Sequence, residues 1–323
     1  MGCCCYQEEE GACCQETAGP SGLCYWHDPA VCKNHPDDKA RLEAYARAGG
    51  QLRGISLRRA TLAGLNLAAA PGQPGFDLSH ADLYRANLQG ASLYKVNFQY
   101  ASLLKADFRD ANLHWCRLSM ANLLGVKLQG ARLEHMQLDR PLYQERMAAE
   151  AVRLGQSELA RDYYEQAEEI YRDLRKATEH EGLFALSGQY IQQELRMRRF
   201  QLPKNSKARA FSWLIDIFCG YGEEPARVVL FSLLLIFVSA VGYFFTGIFT
   251  QGVVLQFHSA MTLAEASRLF LTCLYYSVVT FTTLGYGDIT PVGLSRLFAA
   301  FEAFTGSFTI ALFVVVFVKK MTR

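Results

Sequence analysis

Between residues 78 and 138 a large apolar side chain returns at every fifth position: Leu78, Leu83, Leu88, Leu93, Phe98, Leu103, Phe108, Leu113, Leu118, Leu123, Leu128, Leu133 and Leu138. Two places ahead of most of them stands a small residue, as at Ala81, Ala86, Ala91, Ala101, Ala106, Ala111, Ala121 and Ala131, often followed by Asp, Asn or Ser. Leu52, Leu57, Leu62 and Leu67 form an earlier arm of the same period, and "APGQPG" at 70–75 shifts the register by one residue. A period of five is neither the 3.6 of a helix nor the 2 of a strand. It predicts a chain that turns a corner every five residues, with Leu or Phe and Ala pointing inward and each coil stacking on the last. The Gly/Pro stretch predicts a loop that interrupts the stack.

The pattern then changes. Ala167, Ile170, Tyr171 and Leu174 recur at helical spacing, so 160–178 predicts an amphipathic helix. "EHEG" at 179–182 marks a turn, and a second helix over 183–200 would pack back as an αα-hairpin. Next, Lys204, Lys207 and Arg209 precede Phe211, Trp213, Leu214, Ile217 and Phe218. This basic-then-aromatic stretch reads as a helix lying in a membrane interface, or as a buried linker helix. Val228–Phe249 follows without a charge, and Leu297–Val318 carries one, Glu302. Each would reach about 33 Å as a helix, enough to cross a hydrocarbon core. Basic residues flank the pair on its outer sides, so both termini are expected in the cytoplasm.

Between these runs, Thr262-Leu263-Ala264-Glu265 has the spacing of a capping box. The helix it would start is apolar but too short to cross alone, and it ends at Thr282-Thr283-Leu284-Gly285-Tyr286-Gly287-Asp288. Irregular backbone at membrane depth is tolerated only against protein or a water-filled cavity. Gly285 and Gly287 admit positive φ, which lets successive carbonyls face one way. Four copies about an axis would offer rings of oxygens in place of an ion's hydration shell. The preceding helix would aim its negative end at a cation path.

Two resemblances rest on these residues. "ADLYR", "ANLQG", "ASLYK", "ADFRD" and "ANLLG" resemble the pentapeptide-repeat family, which implies a four-sided right-handed β-helix. "TTLGYGD" between two apolar runs resembles the pore of two-transmembrane potassium channels over about residues 225–320. That resemblance implies a homotetramer in a lipid bilayer, potassium ions in the filter, and Thr283, Leu284, Gly285, Tyr286 and Gly287 as its lining. Leu284 departs from the usual Val or Ile, which bears on filter stability more than on selectivity. Asp288 is expected to bond behind or above the filter. Glu302 within "FEAFTG" is expected beside the pore helix as a support, with an ion site as the alternative. Gly306 is either a gating hinge or a close helix-packing point. No Arg-periodic helix suggests a voltage sensor, and the absence of an acid in "SFTIALF" argues against strong polyamine-type rectification. Modulation is expected from the N-terminal side.

Composition adds one candidate site. Seven of the ten Cys fall in the first 32 residues, and no signal peptide precedes them. This favours reduced thiols or a metal over a disulfide framework. Cys5, Cys14, Cys24 and His27 make a tetrahedral zinc (Zn2+) set, with Cys4 and Cys13 as substitutes; "CYWHDP" resembles Cys/His-rich segments found ahead of pentapeptide repeats. A disordered tail or lipid attachment at "MGCCC" are the alternatives, although Tyr6 stands where myristoylation wants Ser or Thr.

The net charge of +2 gives no case for a nucleic-acid partner. Residues 50–140 hold eleven Lys/Arg against six Asp/Glu, which disfavours a DNA-mimicking role for the repeats. No nucleophile–base set suggests an enzyme. The expected fold class is a multi-domain membrane protein: a Cys/His-rich segment at 1–48, a cytoplasmic β-helix at 49–140, a helical hairpin at 141–202, an interface helix at 203–224 and a two-helix tetrameric pore at 225–323. The expected function is a potassium channel, with a non-selective cation channel as the alternative.

Overall fold

The computed structural model describes residues 4–6 and 14–322. The chain folds as two compact units, Met1–Arg209 and Ala210–Arg323.

In the first unit the five-residue period becomes a coil of twenty. Parallel backbone bridges join Asp77 to Asn97, Asp82 to Ser102, and so on up to Arg117 and Gln137. Four pentapeptides therefore complete one turn. Ser56 bridges Asp82 across 26 residues, so the Gly/Pro loop adds six residues to the first coil. The repeated Leu, Phe and Ala side chains are buried in one continuous core. Where the polar residue of a repeat is Asp or Asn, it stabilises the corner. Asp82, Asn87, Asn97, Asp107 and Asn112 each accept a hydrogen bond from the amide two residues on, at 3.0–3.2 Å. These are Asx turns, which explains the recurrent Asp and Asn. Phe98 and Phe108 meet edge to face, their centroids 6.0 Å apart, where the column of Leu widens into aromatic packing. Phe108→Ala should lower stability by about 3–5 kcal/mol, and a fall in the thermal midpoint of the purified protein would register it.

A short helix, α1 (Asp38–Arg47), precedes the first coil. Three helices follow the last: α2 (Tyr143–Arg153), α3 (Ser157–His180) and α4 (Phe184–Gln201). The sequence pattern predicted two. The extra helix, α2, is tied on by Glu145, whose carboxylate accepts from the Leu142 amide at 3.0 Å and from the Tyr171 hydroxyl of α3 at 2.5 Å. Between α3 and α4, Arg175 pairs with Glu194 at 2.8 Å and Arg198 with Glu168 at 2.9 Å. Tyr164 lies beside Phe200 at 5.1 Å between centroids, so the contacts run in opposite directions along the two helices.

The second unit contains two membrane-length helices among the described residues. Helix α5 (Lys207–Cys219) leads to α6 (Pro225–Thr246), which starts on Pro225, a residue suited to a helix's first turn. The apolar run outlasts this helix. Gly247 (φ 89°) ends it, and Ile248 and Phe249 enter a strand instead. Strand β1 (Ile248–Thr250) pairs antiparallel with β2 (Val253–Leu255) and with β3 (Ile289–Pro291), a sheet the sequence reading missed. Gln251 and Gly252, both at positive φ, make the tight hairpin between β1 and β2. Helix α7 (Leu263–Phe281) begins at the Thr262–Glu265 capping box, and α8 (Ser295–Met321) runs 27 residues to the last basic turn.

Candidate functional site

The second unit brings its candidate residues to the C-terminal end of α7. That helix stops after Phe281, and the chain leaves it through Thr282. Thr283 (φ 56°), Gly285 (φ 58°) and Gly287 (φ 78°) then lie in the left-handed region, at every second residue. Such an alternation turns successive carbonyls toward one side of the strand, which an ordinary extended chain does not do. A β-branched residue at positive φ is strained, and Thr283 holds that strain at the mouth of the motif. Leu284 is 57% and Tyr286 68% exposed in the single chain. Asp288 is held from behind: its carboxylate accepts from the Tyr275 hydroxyl of α7 at 3.1 Å, and its carbonyl from Thr250 of β1 at 3.2 Å.

Glu302 of α8 is fully buried. Its carboxylate accepts from the Tyr243 hydroxyl of α6 at 2.5 Å and from the Ser277 hydroxyl of α7, with Ser239 of α6 as a further donor. One acidic side chain thus joins three helices below the motif. Tyr243, Ser239 and Ser277 were not singled out from the sequence. For Ser239 and Tyr243 the signal is two hydroxyls one helical turn apart in an otherwise apolar run; Ser277, on α7, carries none. Higher up, Ser295 of α8 donates to the Gly247 carbonyl at 2.5 Å and meets the Thr246 hydroxyl at 2.6 Å. Gly306 of α8 is buried against the end of α7, and a Cβ placed on it would lie 2.2 Å from the Phe281 carbonyl oxygen.

On α5, Phe211, Trp213, Leu214 and Ile217 are exposed, while Asp216 and Cys219 are buried. Arg227, in the first turn of α6, donates to the Asp216 carbonyl at 2.9 Å. Lys319, near the end of α8, pairs with Glu223 at 2.5 Å. The linker before α6 is therefore attached to both long helices.

At the other end of the chain, Cys14, Cys24 and His27 come together with Cys4, not Cys5. The Cys4 amide bonds to the Glu16 carbonyl and the Cys5 amide to that of Gly22, each at 2.8 Å. Neighbouring side chains of an extended segment point to opposite faces, so the doublet can send one thiol inward. Cys5 is the exposed one. Cys13 lies outside the described residues, and Cys32 and His35 are exposed. Burial pushes the Cys24 thiol up to about 12 and raises that of Cys14. In Cys4 burial also opposes the thiolate, but backbone amides of Tyr6 and Cys24 outweigh it and the pKa falls. Burial lowers the His27 imidazole.

Residues 233–323 match the ion channel family. Residues 75–110 and 106–140 match the pentapeptide repeats, in eight copies. Among solved structures, the chain is 30% identical to a pentapeptide repeat protein from Nostoc PCC 7120, covering 31% of this chain and 94% of that one with a TM-score of 0.20. It is 32% identical to HetL of the same cyanobacterium, described as involved in heterocyst differentiation regulation, covering 27% of this chain and 50% of HetL with a TM-score of 0.17. It is 24% identical to a pentapeptide repeat protein of the Arabidopsis thaliana thylakoid lumen, covering 31% of this chain and 61% of that one, again at 0.17. The comparison with curated proteins returned no match. Neither matched family is an enzyme family.

Proposed function

The chain belongs to the pentapeptide-repeat proteins and joins those repeats to an ion channel domain with two membrane-length helices, and on that premise we propose that it is a homotetrameric, potassium-selective channel. The observation that carries the reading is the alternation of left-handed residues at Thr283, Gly285 and Gly287 just past the C-terminal end of α7. Four such strands around an axis place rings of carbonyl oxygens where a dehydrated potassium ion can rest, and the ends of four α7 dipoles favour a cation there. The Thr283 hydroxyl adds the innermost ring, and Leu284 contributes its carbonyl as a Val or Ile would. Asp288 and Glu302 hold the filter from behind and from below. The wide exposure of Leu284, Tyr286 and the outer faces of α6 and α8 suits a chain covered by three copies of itself and by lipid.

In this reading both termini are cytoplasmic, α5 lies in the membrane interface with its aromatic side toward lipid, and the repeats form a right-handed β-helix followed by a helical hairpin. These N-terminal modules act on conduction through the α5–α6 linker, where Glu223 is engaged by Lys319. The bridges at Lys319–Glu223 and Arg227–Asp216 give a pull on that linker a direct route to α6 and α8.

The test is permeation by purified protein in planar bilayers. With potassium on one side and sodium on the other, the reversal potential should sit far toward the potassium equilibrium value; a value near zero would point to a non-selective cation pore. Gly285→Ala should abolish selective current. An L-residue at that φ costs about 1–2 kcal/mol, and a four-fold ring repeats it four times. Selective potassium current of normal size through Gly285→Ala would sink the assignment of the filter.

A further inference from the structure

We propose that Cys4, Cys14, Cys24 and His27 bind one zinc ion and that this ion closes the N-terminal end of the repeat core. The four ligand atoms lie within 4.8 Å of one another, and all four residues are buried. Around a tetrahedral zinc with Zn–S bonds of about 2.3 Å, neighbouring sulfurs sit roughly 3.8 Å apart. The Cys14 and Cys24 sulfurs are 3.8 Å apart. That is nearly twice the roughly 2.05 Å of a disulfide. The Cys24 sulfur and the His27 Nδ1 are 3.1 Å apart, a few tenths of an ångström closer than a zinc between them would hold them.

Three further features prepare the set for a metal. The imidazole is oriented by its far nitrogen: His27 Nε2 lies 3.1 Å from the Arg53 carbonyl, and a proton on that nitrogen leaves the Nδ1 lone pair facing the sulfurs. A ligating histidine is held in just this way by a partner on its second nitrogen. The thiols are also placed among backbone amides. The Cys24 amide donates to the Cys4 sulfur at 3.1 Å. Amides directed at sulfur stabilise a thiolate over a thiol. Finally, three thiolates and a neutral imidazole around Zn2+ leave one net negative charge. Lys33, fully buried, lies within electrostatic reach of the Asp28 carboxylate, Cys24 and Asp38, and donates to the Asp28 carbonyl. A buried cation needs a partner of this kind.

The location states what the ion does. The Trp26 carbonyl accepts from the Ser56 amide at 2.8 Å, and the Glu43 carboxylate from that of Asn66 at 2.8 Å, so the segment takes the position of a coil ahead of the first one. The ring of Tyr6 stacks on His27 at 4.1 Å. Cys4, Cys14, Cys24 and Trp26 belong to the same core as Leu52, Ile55 and Leu57. A solenoid's end must be covered, and the described residues ahead of the first coil contain one short helix, α1. A metal centre supplies that folding energy locally.

The experiment uses the full-length protein, purified without chelator from cells supplied with zinc. Elemental analysis should find one zinc per chain. Exchange into cobalt(II) should produce the thiolate-to-cobalt charge-transfer band and the d–d bands of a tetrahedral site. Cys5→Ser and Cys32→Ser should keep both signals, while Cys24→Ser and His27→Ala should lower the metal content at least about tenfold. Wild-type protein with no zinc and no cobalt spectrum would overturn the proposal, whether its thiols prove free or paired as a disulfide. So would full metal retention in Cys24→Ser.

Discussion

If the chain is the homotetrameric potassium channel proposed above, Glu302→Ala should abolish its flux and weaken its assembly in detergent. The carboxylate is the shared acceptor for Tyr243 of α6, at 2.5 Å, and for Ser277 of α7, with Ser239 beside them. Ala removes the acceptor and leaves the Tyr243 hydroxyl without it at membrane depth, where no water replaces it, while Ser277 keeps the Ile236 carbonyl at 2.8 Å. An orphaned buried donor costs about 1–3 kcal/mol in each chain. Glu302→Gln keeps the volume and an acceptor oxygen, and should retain assembly and most of the flux. Proteoliposome flux and gel filtration of the two variants measure the effect. If Glu302→Gln assembled normally but lost conduction, the carboxylate would be acting on the ion and not on the scaffold.

Gly306→Ala should have the second largest effect. The added Cβ would meet Phe281 at 2.2 Å from its carbonyl oxygen and 3.0 Å from its carbonyl carbon. No side chain can rotate aside, because the obstacle is backbone. Either α8 backs away or the end of α7 moves, at about 1–3 kcal/mol per chain. Phe281 stands two residues before Thr283, so the displacement passes directly into the proposed filter strand. The expected result in single-channel recordings is a reduced unitary current and weakened selectivity. A hinge role alone would leave unitary current and selectivity intact and change only the fraction of time spent open. The recordings thus separate the packing role from the hinge, which the sequence left level.

Much of this molecule is written in local pattern. The five-residue period determines the repeat core because each Leu, Phe or Ala meets its equivalent twenty residues away, and that spacing is set by the coil itself. The two charge-poor runs at 228–249 and 297–318 suffice to read the membrane helices, since length and apolarity decide there. The start of α7 is legible for the same reason: a Thr and a Glu three residues apart complete their capping bonds within a single turn. The glycines of "TLGYGD" likewise announce a backbone that other residues resist.

Tertiary structure decided whatever depends on which faces meet. The end of α6 was set by Gly247 and by pairing with a strand from beyond α7, contacts that an apolar run does not encode. Which thiol of the Cys4–Cys5 doublet turns inward followed from hydrogen bonds to Glu16 and Gly22. The partners of Glu302 lie 59 and 25 residues away in sequence and are selected by how three helices cross. Helix α2, with few large apolar positions to mark it, is tied to α3 by Glu145 and Tyr171. Short-range periodicity and backbone preference act within a turn or a coil, where the sequence is sufficient. Burial of a polar group depends on the neighbour that satisfies it, and that neighbour is chosen only when the elements pack.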